Sequence, residues 1–289
     1  MHYVESKSIL SKNNSMNIYR GCTHGCIYCD SRSKRYYMEH DFEDVEVKQN
    51  SIELLKKSLK KKKEMCMIGT GSMTDPYIPL EDDLRLLRKS LELIYHYGHG
   101  FTCITKSDHV LNDLDLLKKI NEKTRVVVQM SLTCCDDNIS KIIEPNVCPT
   151  SRRVEVLNIL KEESIPTVVW LSPVLPYITD TRENISQILD YCIEADVKGV
   201  VCFGMGMTLR DKNREYYYKQ LDKHFPGLKE VYIEKYGDDY EIPSPRNDEL
   251  MKLFRKKTSS HGILNDIDEV FNYISQIPKK SKSIQTKLM

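Results

Sequence analysis

The chain has 289 residues, of which 40% are hydrophobic and 29% charged, and its formal net charge at pH 7 is +1. Such a composition can bury a substantial core without disulfides, and it lacks the positive charge that draws a protein tightly to nucleic acid. No apolar run approaches the roughly 18 residues that span a bilayer, and the N-terminus has no signal-peptide core, so we expect a cytoplasmic protein without a membrane partner.

Apolar, β-rich runs alternate with helical patterns along the chain, which is typical of a parallel sheet built from βα units. The predicted strands are Met16 to Arg20, Met65 to Thr70, Phe101 to Thr105, Val126 to Leu132, Thr167 to Ser172 and Gly199 to Phe203. Between them lie amphipathic segments with apolar residues three or four positions apart. The sequence therefore predicts an α/β fold whose chemistry lies at the carboxyl ends of the strands, where the loops converge.

The C-terminal part continues this pattern less regularly. A seventh strand is predicted from Glu230 to Lys235, followed by a turn at Gly237 and a helix from Asn247 to Lys257. The tail from Pro278 to Met289 is polar and basic, and we expect it to be frayed. Because no linker divides the chain, we expect residues 1–240 to form the core and residues 241–289 to form an extension packed on it.

Three closely spaced cysteines form the most informative motif. Cys22, Cys26 and Cys29 follow the first predicted strand in the pattern CxxxCxxC. Thiolates are the ligands of iron-sulfur clusters, and a four-iron cluster takes four of them. Three cysteines would therefore hold such a cluster and leave one iron open for chemistry.

Zinc is the weaker interpretation of the same motif. A structural zinc site would show a second CxxC or an HxxxH at ribbon or finger spacing. Neither pattern occurs elsewhere in the sequence.

In its context the motif resembles that of the radical S-adenosylmethionine (SAM) superfamily. Gly21 turns the chain after the first strand, and Tyr28 directly precedes the third cysteine. The resemblance implies a partial (β/α)6 barrel of the TIM type with a short C-terminal extension, and a [4Fe-4S] cluster and S-adenosyl-L-methionine as cofactors. In that superfamily SAM chelates the open iron, and its reductive cleavage yields methionine and a 5′-deoxyadenosyl radical. Tyr28 is implied to pack against the adenine within the catalytic site.

The end of the second predicted strand, written GTGSMTDPY, is implied to receive the amino group of SAM. Glycines there permit close backbone approach to a ligand, and the neighbouring polar side chains offer hydrogen bonds. The candidate cofactor-binding residues of this loop are Gly69, Thr70, Gly71, Ser72 and Asp75. Asp75 followed by Pro76 equally fits the start of a helix.

The next two strand ends carry Lys106 and Ser131. The resemblance implies that Lys106 pairs with the SAM carboxylate and that Ser131 donates to the carboxylate or the ribose. The alternatives are a solvated loop lysine and a strand serine satisfied by the protein itself. The position at the active end of the sheet favours the ligand roles.

The fuller match resembles the spore photoproduct lyase-like group over about Tyr19 to Asp180. It consists of YRGCTHGCIYC, TDPYIPLE, ITKS, SLT, IEPNVCPTSRR and SPVLPYITD. Photoproduct lyases use a cysteine just before the TSDP-like stretch to return hydrogen, and they carry a tyrosine on each side of the third cluster cysteine. Here Ser72 and Met73 stand at the first place and Asp30 at the second. These departures argue against dimer-lyase activity and not against the radical-generating core.

Two further groups are candidates for contact with the substrate. Cys134 and Cys135 follow the fourth predicted strand, and Cys148 lies in the next loop. We expect a substitute hydrogen donor or radical-capturing thiol among them, with Cys135 as the candidate catalytic residue and buried structural thiols as the alternative. Glu144, Arg152 and Arg153 belong to a polar loop that either contacts substrate or forms an ion pair at a helix start.

We therefore predict a radical SAM enzyme that abstracts hydrogen from a small-molecule or nucleotide-like substrate of unknown identity. An external electron donor of the flavodoxin or ferredoxin type would supply the electron. Two other functions stay open, namely repair of a DNA photoproduct and a non-catalytic iron-sulfur binding protein. Lys106 and Ser131 distinguish an enzyme from a non-catalytic iron-sulfur protein, because a cluster carrier has no use for a ligand-carboxylate site beside its open iron.

Overall fold

The computed structural model describes residues 1–278, so all of the predicted frayed tail except Pro278 lies outside the described residues. The strands are β1 (His2–Val4), β2 (Tyr19–Arg20), β3 (Glu46–Lys48), β4 (Met67–Thr70), β5 (Gly100–Thr105), β6 (Val126–Ser131), β7 (Thr167–Trp170), β8 (Gly199–Val201), β9 (Gly206–Thr208) and β10 (Glu241–Pro243). The helices are α1 (Ser51–Lys61), α2 (Leu80–Leu84), α3 (Leu86–Tyr97), α4 (Leu114–Lys123), α5 (Asp137–Ile143), α6 (Thr150–Glu162), α7 (Arg182–Glu194), α8 (Asn213–His224), α9 (Leu228–Tyr236), α10 (Asn247–Ser260) and α11 (Ile267–Ser275). Short 3-10 helices occupy Asp30–Arg32, Lys34–Tyr36 and Asp108–Asp113.

A five-stranded parallel sheet in the order β4-β5-β6-β7-β8 forms the centre of the molecule. Five of the six predicted strands supply it, each within a few residues of its predicted bounds. The first predicted strand is shorter than expected, because only Tyr19–Arg20 is extended and pairs with β3. Just before it, Ser15 forms a parallel bridge with Gly69, so this segment still flanks β4 as a barrel requires. The predicted α/β fold of the partial-barrel type is confirmed.

The two faces of the sheet are covered differently. Alternate residues such as Val126, Val128 and Val169 join the main core, which also contains the apolar stripes of α3, α4, α6 and α7. The residues between them, such as Val127 and Val168, form a smaller cluster with α11. This division follows from the two-residue period of a strand. We call the face covered by α11 the inner face.

The predicted seventh strand is wrong, since Glu230 to Lys235 lies inside helix α9. Its β-branched residues, Val231 and Ile233, are largely exposed, whereas Tyr232 and Tyr236 are buried. A spacing of four residues places these two tyrosines on one helical face. Tyr232 packs there against Tyr217 of α8 at a ring distance of 5.5 Å, and this tertiary contact outweighs the local β-propensity.

Helix α10 confirms the last predicted helix and extends it to Ser260. Strand β10 begins at the first residue of the predicted extension and pairs in an antiparallel register with β9 of the predicted core. The division at that residue stays a prediction. Within residues 1–278, no helix combines the length and apolarity needed to cross a membrane.

Candidate functional site

The loop that carries the three predicted cluster cysteines starts with a turn that only glycine fits. Gly21 has a φ of +88°, and a Cβ there would lie 2.6 Å from the carbonyl oxygen of Phe42. The amide of Cys22 donates to that same carbonyl at 2.9 Å. The turn therefore fixes the start of the loop against residue 42, and the amide of Cys29 later donates to the carbonyl of Cys26 at 3.3 Å.

The three thiols lie near one another in a largely buried environment. Cys22 and Cys26 are buried and Cys29 is half-buried. Burial, with smaller contributions from the charges of Asp75 and Cys29, raises the pKa of Cys22 to about 12. Burial likewise raises the pKa of Cys26 and of Cys29. Thiols that are desolvated and repel one another as thiolates need a positive charge to hold them ionised, and three such donors fit an iron-sulfur cluster.

The loop after β4 packs tightly on β5. Gly71 has a φ of +97°, and a Cβ there would lie 2.2 Å from the carbonyl oxygen of Ile104. Of the other predicted loop residues, Thr70 is buried and Ser72 is exposed. Gly69 lies beside Thr102 on the inner face. The predicted cofactor loop is thus held close to the end of β5, with Ser72 left accessible.

Asp75 joins this loop to its surroundings. Its carboxylate accepts from the amide of Tyr77 at 2.9 Å, the hydroxyl of Thr105 at 2.8 Å and the amide of Lys106 at 2.7 Å. His24 of the cysteine loop lies 3.5 Å from the same carboxylate. Asp75 therefore positions three segments of the site, and the predicted direct contact of Asp75 with SAM stays a prediction.

Lys106 brings a positive charge to the cysteine loop. Its Nζ lies 5.9 Å from the centroid of the Tyr28 ring. Burial lowers the pKa of Lys106, but negative charge at Cys26, Glu144 and Asp75 outweighs burial and raises the pKa above its ordinary value. The lysine therefore stays protonated beside both a predicted cluster thiol and the predicted adenine-packing ring.

A buried ion pair lies under Tyr28. Arg153 and Glu144 approach to 2.6 Å with side chains that are 0% and 1% exposed, and the Tyr28 hydroxyl donates to the same carboxylate. Burial raises the pKa of Glu144, yet Arg153 and Lys106 lower it more, so the net pKa lies below the ordinary value. Burial and Glu144 raise the pKa of Tyr28 well above 10. Tyr28 is therefore a neutral ring held by a carboxylate.

Arg153 also fixes two backbone carbonyls of the site. Its guanidinium donates to Ser131 at 3.1 Å and to Cys148 at 2.9 Å. Of the two roles considered for these loop residues, Glu144 and Arg153 form an ion pair, whereas Arg152 pairs with Asp108 at 2.9 Å near the surface. The pair connects the end of β6 to Tyr28.

The predicted catalytic thiol and the thiol that contacts the backbone of Lys106 are different residues. Cys135 is half-buried, and its amide donates to the side chain of Asn184 at 2.6 Å. Cys148 instead donates to the carbonyl of Lys106 at 3.2 Å. The catalytic role of Cys135 stays a prediction.

Sequence reasoning missed His24 and Thr133. His24 is buried beside Asp75, and Thr133 donates to Glu144 at 3.2 Å. His24 stands between the first two cluster cysteines, and this position was an available signal. Thr133 follows Ser131 by two residues but carries no distinguishing pattern of its own.

Comparison with known proteins agrees with this arrangement. A family model for the radical SAM superfamily matches residues 16–192. The uncharacterised protein Rv2578c of Mycobacterium tuberculosis is 28% identical over 282 residues, which cover 92% of this chain and 82% of that protein. The uncharacterised protein ORF301 of Acidianus two-tailed virus is 30% identical over 229 residues, which cover 74% of each chain.

Solved structures with the same fold include spore photoproduct lyase. Its complex with dinucleoside spore photoproduct superposes with a TM-score of 0.65 at 14% identity, covering 91% of this chain and 80% of that one. A lyase variant with bound AdoMet and the same photoproduct gives a TM-score of 0.63 at 15% identity, covering 87% and 75%. At these identities the likeness shows the fold.

The matched residues 16–192 include the three predicted cluster cysteines and both strand-end residues, Lys106 and Ser131. Members of the matched family use a [4Fe-4S] cluster together with SAM, and the thiols of Cys22, Cys26 and Cys29 are of the donor type that such a cluster needs. Because the match covers more than half of the chain, the protein belongs to the radical SAM superfamily.

Proposed function

We propose that this protein cleaves SAM reductively and uses the resulting radical to abstract hydrogen from a substrate C–H bond. The observation that carries the proposal is the position of Lys106. Its charge is coupled to Cys26, and its Nζ lies 5.9 Å from the Tyr28 ring. A cation beside a cluster ligand is what the carboxylate of a bound SAM requires.

The chain's own residues bind and orient the cofactor. Lys106 pairs with the carboxylate of SAM, Ser131 donates to the carboxylate or the ribose, and the loop of residues 69–75 receives the amino group. Tyr28 packs against the adenine, and the carboxylate of Glu144 keeps its ring in place. Burial around the loop excludes water from the radical.

Cys22, Cys26 and Cys29 would hold the cluster, which would supply the electron for reductive cleavage of SAM, with methionine and a 5′-deoxyadenosyl radical as the products. An external donor of the flavodoxin or ferredoxin type would deliver that electron. The protein's part is to position the reacting carbon against the substrate.

The direct test is anaerobic reconstitution with iron and sulfide, followed by incubation with dithionite and SAM. We expect about four irons per chain and formation of 5′-deoxyadenosine, measured by liquid chromatography. A protein that holds the cluster but forms no 5′-deoxyadenosine above the buffer control would instead be a non-catalytic iron-sulfur protein.

The likeness of fold to spore photoproduct lyase favours repair of a DNA photoproduct as a second candidate. Ser72 cannot return a hydrogen atom as a thiol does. Asp30 cannot replace a tyrosine in a radical relay, and its carboxylate accepts from the Tyr36 hydroxyl at 3.1 Å. We therefore expect no efficient conversion of spore photoproduct by the wild-type protein.

The test compares wild type with Ser72→Cys on the dinucleoside photoproduct. Multiple turnovers by wild type would contradict this expectation and make the protein a repair lyase with another hydrogen donor. Activity in Ser72→Cys alone would show that the protein binds the photoproduct but lacks the thiol that returns the hydrogen atom. Inactivity of both, alongside 5′-deoxyadenosine formation, would indicate a different substrate.

A further inference from the structure

Three aromatic rings meet on the inner face of the sheet. We call Trp170, Phe203 and Phe271 the aromatic floor. The ring centroids of Trp170 lie 5.9 Å from Phe203 and 6.1 Å from Phe271, and the two phenylalanines are 6.4 Å apart. The planes are tilted by 42° to 56°, so each ring contacts the edge or face of the other two.

The aromatic floor lies between the packed and the catalytic ends of the inner face. Towards the amino ends of the strands, α11 closes the face with an apolar cluster that includes Val127, Val168, Val270 and Ile274. Val201 belongs to the same cluster and lies level with Trp170. Arg125, just before β6, donates to the carbonyl of Gln276 at 3.0 Å and marks this end. Towards the carboxyl ends, Trp170 is the cross-strand neighbour of Ser131. A ring seated on the floor would therefore adjoin the proposed SAM site.

Hydrogen bonds fix the indole of Trp170. Its Nε1 donates to Gln129 at 2.8 Å, and the Gln129 amide donates to the Thr102 hydroxyl at 2.7 Å. Thr102 in turn donates to the carbonyl of Val127 at 2.8 Å. Because Gln129 and Thr102 are buried, this series of hydrogen bonds holds the indole rigidly. The indole N–H already has its hydrogen-bond partner. The floor thus presents apolar ring surface.

The aromatic floor is exposed, although other aromatic residues of the protein are buried in its core. Phe203 is 61% exposed and Phe271 38%, whereas Phe101 and Phe254 are buried. A contiguous, exposed aromatic surface beside the proposed reaction site is typical of a ligand-binding wall. The three side chains of the floor are uncharged, and the charges of Glu144 and Arg153 are paired with each other.

We propose that the aromatic floor binds an uncharged, planar aromatic or heteroaromatic ring of the substrate. The proposal rests on the proposed function, since it places that ring next to the radical formed from SAM. The tilted rings contact a flat partner by offset stacking and edge-to-face packing. A saturated ring of the same size makes fewer such contacts, and an anionic ring would lose its hydration against the electron-rich ring faces without compensation.

Trp170 is the single tryptophan of the chain, so its fluorescence reports on the floor directly. The experiment titrates the reconstituted protein, with saturating SAM, with p-cresol and with thymidine, and uses cyclohexanol as the non-planar control. We expect a saturable change in tryptophan emission with a planar probe, half-complete at about 1 mM or below for a fragment of this size. Equilibrium dialysis of the same probes measures binding without fluorescence.

Phe203→Ala is expected to weaken binding of the planar probe by about tenfold, as loss of a stacking partner requires. Tyr37→Ala is the matched control, because Tyr37 is 84% exposed and lies outside the floor. A response to p-cresol alone would assign a phenol-type ring, and a response to thymidine alone would assign a nucleobase.

The proposal would be overturned by absence of saturable binding by both planar probes, by equal binding of cyclohexanol, or by unchanged affinity in Phe203→Ala. If SAM alone produced the emission change and excluded the probes, the floor would hold the adenine of the cofactor and the proposal would also be wrong. Ring binding without formation of 5′-deoxyadenosine would contradict the proposed function but support ring binding by the aromatic floor. The two failures are therefore distinguishable.

Discussion

The cysteine loop and the aromatic floor are built from the sequence in different ways. In the loop, the three predicted cluster cysteines lie within residues 22–29, and a single glycine turn fixes where the loop begins. The aromatic floor instead takes one residue each from β7, the segment after β8 and α11. A site whose ligands are close together in the sequence can be predicted from the sequence alone. A substrate-binding surface assembled from distant elements is recognised only once the fold is known.

Substitution of the cluster cysteines should have the largest effect. Cys22→Ala, Cys26→Ala and Cys29→Ala are each expected to abolish the four-iron cluster and all formation of 5′-deoxyadenosine, since three thiolates leave no redundancy. The measurements are iron and sulfide content after anaerobic reconstitution and 5′-deoxyadenosine yield.

Cys66→Ala is the matched control for these variants. Cys66 is half-buried at the amino end of β4, where its amide donates to His99 at 3.3 Å, and its loss should leave the cluster intact. Unchanged iron and sulfide in all three cluster variants would mean that the ligand assignment is wrong, and one zinc per chain would favour the zinc interpretation.

The next largest effect is expected for the buried ion pair between Arg153 and Glu144, which lies under Tyr28. Arg153→Met leaves the Glu144 carboxylate buried without its main partner, which should lower the free energy of unfolding by about 3 to 5 kcal/mol. Arg152→Met is the control in the adjacent position, because its ion pair with Asp108 is solvent-accessible and should contribute about 0 to 1 kcal/mol. Urea denaturation of both variants gives the comparison.

The pH dependence of Arg153→Met provides a second measurement. In wild type the pKa of Glu144 is lowered, so its contribution to stability is present above the unfolded pKa and is lost as the pH falls through the folded one. Without Arg153, burial should raise that pKa, and protonation should restore stability to the variant as the pH falls. We expect the difference between the two proteins to narrow towards acid pH, whereas equal losses in Arg153→Met and Arg152→Met would contradict the buried-pair interpretation.

A smaller effect is expected at the SAM carboxylate. Lys106→Ala should weaken SAM binding by roughly 1.5 to 3 kcal/mol, the value of a hydrogen bond to a charged group. Lys61→Ala, at an exposed position at the end of α1, should leave the affinity unchanged. Titration of the reconstituted proteins with SAM measures both, and equal effects would remove the case for Lys106 as a cofactor ligand.

The sequence predicted those parts of the molecule in which local pattern and tertiary packing agree. The strands of the central sheet are buried on both faces, and the continuous apolar runs in their sequences predict this burial. Contacts such as that between Glu144 and Tyr28 join residues that are 116 positions apart. The sequence offered both an ion pair and a substrate contact for Glu144, and only the packing of α6 against the sheet decides between them. Helix α11 was not anticipated at all, although its apolar face closes the inner side of the sheet.

The smallest effect tests the region where local pattern was misleading. Ile233 lies in α9, is 48% exposed and belongs to the segment that the sequence predicts as a strand. In a helix, Ile233→Ala should be neutral or slightly stabilising, and Ile233→Gly should be less stable than Ile233→Ala by about 1 kcal/mol. In a strand, Ile233→Ala would instead lose up to about 1 kcal/mol of β-propensity. Urea denaturation of the two variants against wild type distinguishes the cases, because a marked loss in Ile233→Ala would support the strand and contradict the helix.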